Sequence, residues 1–79
     1  MPNAIDANAE EPALGINDAF FEVRDRAYTL ADSGRYKRWD QIAYALLAEG
    51  FVKALITRLH RDALAVMMIN RSCVQARAR

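Results

Sequence analysis

The chain contains one histidine, His60, and one cysteine, Cys73, which are the side chains best suited to nucleophilic and acid–base chemistry. A nucleophile must lie within hydrogen-bonding reach of its base. Thirteen residues separate the two side chains, and in a continuous helix this spacing corresponds to about 20 Å along the axis. No pair of acids stands isolated on an apolar face to act instead. The sequence therefore predicts a protein that is not an enzyme.

Sites for bound groups are equally absent from the sequence pattern. The three glycines, Gly15, Gly34 and Gly50, are too far apart to form a phosphate-binding loop or a dinucleotide-binding fingerprint. One histidine and one cysteine fall short of the four ligands of a structural zinc site. We expect no metal, no cofactor and no evident small-molecule substrate.

Composition points to a single small folded unit. The chain has 79 residues, of which 53% are hydrophobic and 27% are charged, and this balance excludes a disordered chain and leaves apolar surface for a partner. The single cysteine excludes an intramolecular disulfide, and no leader pattern opens the sequence. The longest apolar run, residues 63–69, is far shorter than the roughly 20 residues of a membrane span. We expect a cytoplasmic protein that does not cross a membrane.

Charge is distributed unevenly along the chain. Residues 1–20 hold four acids and no base, whereas residues 33–79 hold nine Lys or Arg against three Asp or Glu, a local balance of +6. Such an excess favours encounter with an anionic partner such as nucleic acid. Helix ends and solvated faces also collect arginines, so both interpretations stay open.

Turn residues divide the chain into a tail and one domain. Pro2, Pro12 and Gly15 interrupt residues 1–16, which show no helical or strand period and are predicted to form a flexible acidic tail. Residues 17–79 are predicted to form a single helical domain. Its first helix should run from about Asp18 to Asp32, capped by Asn17 or Asp18 and ended by Gly34. The residues expected on its buried face are Phe20, Val23, Ala27 and Leu30, and the expected exposed ion pair is Glu22 with Arg26.

A second helix is predicted to begin at Lys37 or Arg38 and to stop at Gly50. Its expected buried stripe comprises Trp39, Ile42, Ala43, Leu46 and Leu47. Trp39 is predicted to be a core anchor.

Residues 51–79 contain neither glycine nor proline, so they could form one long helix or two. Asp62 is a good helix cap and favours two. The residues expected to point inward from the first piece are Val52, Leu55, Ile56 and Leu59. Residues 63–69 are apolar almost all round, which predicts that this turn is central in the domain or buries a second face in another subunit. The predicted fold class is all-α, with three or four short helices.

The stretch "IAYALLAEGF" resembles the pattern I-A-x-x-L-x-x-x-G of helix-turn-helix proteins of bacteria and phages. This resemblance implies a helix-turn-helix-like centre, in which Ile42, Ala43 and Leu46 pack the first helix and Gly50 makes the turn. It also implies a recognition helix over about Val52 to His60. The wider segment "LADSGRYKRWDQIAYALLAEGF" is similar to a group of small helical proteins of proteobacteria with no established activity, and implies a compact helical fold.

Two functions follow as hypotheses. In the first, a bacterial regulator binds double-stranded DNA, since a recognition helix offers its outward face to the major groove and neighbouring bases reach phosphates. The residues predicted to contact DNA are Arg35, Lys37, Arg38, Lys53, Thr57, Arg58, His60 and Arg61. In the second, a helical module binds a protein partner or forms a homodimer, through an interface predicted at Leu64, Met67, Met68 and Ile69.

Overall fold

The computed structural model describes residues 18–79, which form four helices and contain no strand. This confirms the all-α prediction. Helix α1 spans residues 18–32, and the three that follow are α2 (Trp39–Ala48), α3 (Lys53–His60) and α4 (Ala63–Ala78). The predicted acidic tail and the predicted cap at Asn17 lie outside the described residues.

Helix α1 packs through the face that its sequence period predicts. Its buried residues are Phe20, Val23, Ala27, Leu30 and Ala31. The helix is followed by Gly34, whose φ of +78° is the left-handed conformation that glycine adopts without strain. Ser33 tightens this end, since its hydroxyl donates to the Leu30 carbonyl at 2.6 Å and accepts from the Arg35 N–H at 3.1 Å.

Helix α2 contributes Trp39, Ile42 and Leu46 to the core, as predicted. Leu47 was predicted to be buried with them and is exposed instead, because it follows Leu46 directly and lies at the edge of the buried stripe. Arg38 precedes α2 without a side-chain cap. A side chain of α4 replaces it: the Trp39 backbone N–H donates to Asn70 Oδ1 at 2.7 Å.

The turn between α2 and α3 is a Schellman motif. The Phe51 N–H donates to the Leu46 carbonyl at 3.1 Å, and the Gly50 N–H donates to the Leu47 carbonyl at 3.0 Å. Gly50 has a φ of +93°, the left-handed conformation that this motif requires. Phe51 packs half-buried against the core and supplies the motif's usual apolar contact.

Residues 51–79 form two helices rather than one. Asp62 separates them, as predicted, and its side chain accepts from the Ala65 N–H at 3.1 Å. Helix α3 buries Ile56 and Leu59. The prediction that Val52 points inward is wrong, because Val52 is 59% exposed and lies in extended backbone before the first helical turn.

Helix α4 buries a single face, formed by Ala65, Ile69 and Cys73 at a spacing of four. Ile69 was predicted to belong to a partner interface; it is fully buried in the chain's own core and is not available to a partner. The apolar residues around it therefore divide between one core face and one exposed face. In the described range, no helix is both long enough and apolar enough to cross a bilayer.

Ion pairs connect the helices at the surface. Arg26 of α1 makes a bidentate pair with Glu49, with both hydrogen bonds at 2.8 Å, rather than the predicted pair with Glu22. Arg79 lies 3.5 Å from the Asp32 carboxylate, so the end of α4 meets the end of α1.

Candidate functional surfaces

The outward side of α3 carries the residues predicted to contact bases. We call Lys53, Thr57 and Arg61 the α3 basic surface; all three are exposed. Neither Lys53 nor Arg61 forms an ion pair with any residue in the range 18–79. Helix α3 is only eight residues long, and Lys53 is the one cation in its first turn. In a helix-turn-helix protein, that turn supplies most base contacts.

Arg58, another predicted DNA contact, is engaged within the chain. Its guanidinium carbon lies 4.0 Å from the centroid of the Phe20 ring, which is a cation–π geometry. This contact holds the side chain against the start of α1. Binding a phosphate would require Arg58 to share or leave this position.

His60 is exposed and also contacts Trp39. Its Nδ1 accepts a 2.9 Å hydrogen bond from Trp39 Nε1, and the two rings stack with centroids 6.3 Å apart. An accepting Nδ1 carries no proton, so only Nε2 remains for an outside partner. His60 therefore joins α3 to α2 and remains exposed.

The same bond brings the start of α2 beside the end of α3. The predicted phosphate contacts Arg35, Lys37 and Arg38 precede α2 and are exposed. Arg38 is paired with Asp40 at 3.2 Å, and both side chains are well exposed. Such a surface pair contributes little stability.

The second surface is the outward face of α4, which is apolar. We call Leu64, Met67, Met68 and Val74 the α4 apolar surface; their exposed fractions are 66%, 54%, 39% and 63%. Helical spacing of three and four places these residues on one side, opposite Ala65 and Ile69. Leu64, Met67 and Met68 were predicted at a partner interface, and the structure exposes all three. Val74 lies seven residues after Met67, which is one heptad, and extends the same face.

Arg71 lies within the α4 apolar surface, between the methionines and Val74. It is exposed and forms no ion pair with the residues that the structure describes. From residue 63 to residue 79, α4 and its C-cap contain three arginines and no acid. The face is thus apolar with a positive centre.

In residues 18–79, no cluster of three or more potential metal ligands occurs and no pocket opens. Cys73 is fully buried. Burial raises the pKa of its thiol, while the charge of Arg77 opposes this shift. Cys73 is therefore a packing residue, as expected of a small hydrophobe.

Several residues that carry the two sequence resemblances have structural roles. Leu46, Gly50 and Phe51 build the Schellman turn, and Glu49 holds Arg26. Trp39 fills the core. Folding therefore explains the residue types at these positions.

Comparison of the chain with protein-family models, with curated proteins and with solved structures found no match. The resemblances of the central segment stay predictions.

Proposed function

We propose that this chain is a non-catalytic protein-binding module whose docking site is the α4 apolar surface. The observation that carries this proposal is the exposure of Leu64, Met67, Met68 and Val74 along one helical face. An exposed helical face rich in large apolar side chains is typical of a site that another protein covers. A cytoplasmic location belongs to the same proposal.

Burial of these side chains supplies the driving force for association. Complete burial of one such side chain is worth about 1.5–3 kcal/mol. Association costs at least about 4 kcal/mol in lost translational and rotational freedom. The exposed parts of the four side chains amount to about two complete side chains, so their burial offsets about the minimum cost and the partner's own apolar side chains must add the rest.

Helix α4 is ordered before any partner arrives. Its inner face is fixed in the core by Ala65, Ile69 and Cys73, and its first turn is capped by Asp62. A preordered helix loses little conformational entropy on binding. The two methionines add adaptability, because their unbranched side chains fit partners of different shape.

Site-specific photocrosslinking in cells of the source organism tests this proposal. A photoreactive amino acid placed at Met67 should form a defined adduct with another polypeptide, because Met67 lies in the docking face. The same amino acid at Thr57, on the α3 basic surface, is the matched control and should form little polypeptide adduct. Equal or greater polypeptide adduct from Thr57 would contradict the assignment.

DNA binding through the α3 basic surface is the second candidate function. The observation in its favour is the Trp39–His60 hydrogen bond, which joins the start of α2, preceded by three exposed cations, to the C-terminal end of α3. Binding of this kind rests on phosphate neutralisation and should weaken steeply with salt. The exposure of Lys53, Thr57 and Arg61 is compatible with it.

Fluorescence anisotropy of a labelled duplex separates the two functions. The double variant Lys53→Glu with Arg61→Glu should lose DNA affinity if α3 enters the groove. The matched control is Arg71→Glu with Arg77→Glu, which changes net charge equally on α4. Equal loss in both variants would indicate a general charge effect rather than a groove contact.

A further inference from the structure

The single charge of the α4 apolar surface constrains its partner. Arg71 lies four residues after Met67 and three before Val74, so its side chain leaves the helix on the same face. A partner that covers this face also covers Arg71. A covered guanidinium must be paired, since an unpaired buried charge strongly opposes association.

A second copy of this chain does not supply the required carboxylate from the same face. Residues 63–79 contain no Asp or Glu. Asp62, the nearest acid along the chain, already accepts the Ala65 N–H as the cap of α4. Pairing α4 with α4 of another copy would bring the arginines of both helices together, with no carboxylate between them. Like charges in an interface suppress association, so this face is not self-complementary.

We infer that the α4 apolar surface binds an acidic amphipathic helix of a different protein, with a carboxylate placed opposite Arg71. This inference rests on the proposed function and specifies its partner class. The face runs from Leu64 to Val74, about 15 Å of helix, a length suited to a helix with apolar residues at spacings of three and four. Arginine accommodates a carboxylate in a bidentate geometry, which fixes register as well as charge.

Methyl NMR of the full chain with three synthetic peptides tests the partner class. The peptides share one leucine stripe and differ only at the flanking and central polar positions, which are Glu, Gln or Lys. The Glu peptide should bind at least about tenfold more tightly than the Lys peptide, the ratio that one close charge pair supplies. Its contacts should appear at the methyl groups of Leu64, Met67, Met68 and Val74. Arg71→Gln should remove most of the preference, and Arg71→Lys should retain part of it.

The outcomes separate the partner class from the function. Equal binding of all three peptides at these methyl groups would overturn the acidic partner and leave the docking surface in place. No change at these methyl groups with any peptide would overturn the docking surface itself. Two further results would overturn the acidic partner by assigning another occupant. One is a shift of the same signals with protein concentration alone, which would assign a second copy of the chain. The other is a set of contacts from residues 1–17 to Met67, which would assign the chain's own N-terminal segment.

Discussion

Trp39 Nε1 donates a 2.9 Å hydrogen bond to His60 Nδ1, across 21 residues of sequence. The bond satisfies the indole N–H of a side chain that is only 3% exposed. It also fixes the end of α3 against the start of α2. The chain's only histidine and only tryptophan therefore serve the fold together, at the place where the sequence pattern suggested a DNA contact.

Replacement of His60 should destabilise the protein through Trp39. His60→Ala leaves a buried indole N–H without an acceptor, which costs about 1–3 kcal/mol in the free energy of unfolding. His60→Asn places an acceptor oxygen at the same distance along the side chain and should recover part of that loss. Urea unfolding followed by the emission of Trp39 measures both variants, and an alanine variant as stable as the parent would exclude the bond as a source of stability.

Stability should fall in acid because of Glu49. Its two hydrogen bonds from Arg26 lower the pKa of Glu49 and raise the pKa of Arg26. Because the folded-state pKa of Glu49 is depressed, the stabilisation is complete above the unfolded value of about 4.3. It is lost as the pH falls through the lower folded-state pKa.

The free energy of unfolding, measured from about pH 6 to about pH 3, tests this assignment. Glu49→Gln should reduce the acid dependence. Glu22→Gln is the matched control, since Glu22 makes no ion pair with the described residues. A larger reduction of the acid dependence by Glu22→Gln than by Glu49→Gln would support the Glu22–Arg26 pair expected from the sequence instead.

Gly50 should resist substitution because of its backbone conformation. No atom lies within 4 Å of a Cβ added there, so the cost of Gly50→Ala comes from the φ of +93° alone. That conformation costs an L-residue about 1–2 kcal/mol. Gly50→Asn should cost less, because asparagine adopts left-handed backbone more readily. Thermal unfolding measures the pair, and an alanine variant at or above the parental stability would contradict the assigned turn.

The Cys73 thiol should be unreactive in the native protein. Its burial blocks access and raises its pKa, so little thiolate is available. A thiol-specific reagent should modify the protein only as urea unfolds it. Val74→Cys in a Cys73→Ala background is the exposed control and should react at once. Rapid reaction of native Cys73 would show that the core opens readily around α4.

Local chemistry made much of this fold predictable. Gly34 and Gly50 end helices because they adopt left-handed backbone, and Asp62 begins α4 because its carboxylate accepts an amide of the first turn. These effects act within a few residues of the position concerned. The boundaries and the core face of α1 follow from the same short-range periodicity.

Long-range contacts were not predictable in the same way. Arg26 pairs with Glu49, 23 residues away, although Glu22 is its neighbour on α1. Asn70 caps α2 from α4, 31 residues away. No sequence period encodes such contacts, because they depend on how the helices pack. The exposed face of α4 was predictable only in part, since its run of apolar residues does not show which side enters the core.

A polar replacement on the α4 apolar surface should separate binding from folding. Leu64→Gln with Val74→Gln changes two exposed side chains, so the free energy of unfolding should change by no more than about 0.5 kcal/mol per site. Ile69→Ala on the buried side of the same helix should cost about 2–5 kcal/mol. Comparable losses in the two variants would show that the outer face supports the fold.

Docking of a protein on the α4 apolar surface is tested most directly by the yield of polypeptide adduct from a photoreactive residue at position 67. The yield is compared between the otherwise unchanged protein and the double variant Leu64→Gln with Val74→Gln. Both chains should be folded and equally abundant. We expect a discrete adduct from the protein with Leu64 and Val74 intact, and loss of this adduct from the double variant. An undiminished adduct in the double variant would contradict the assignment of α4 as the docking surface.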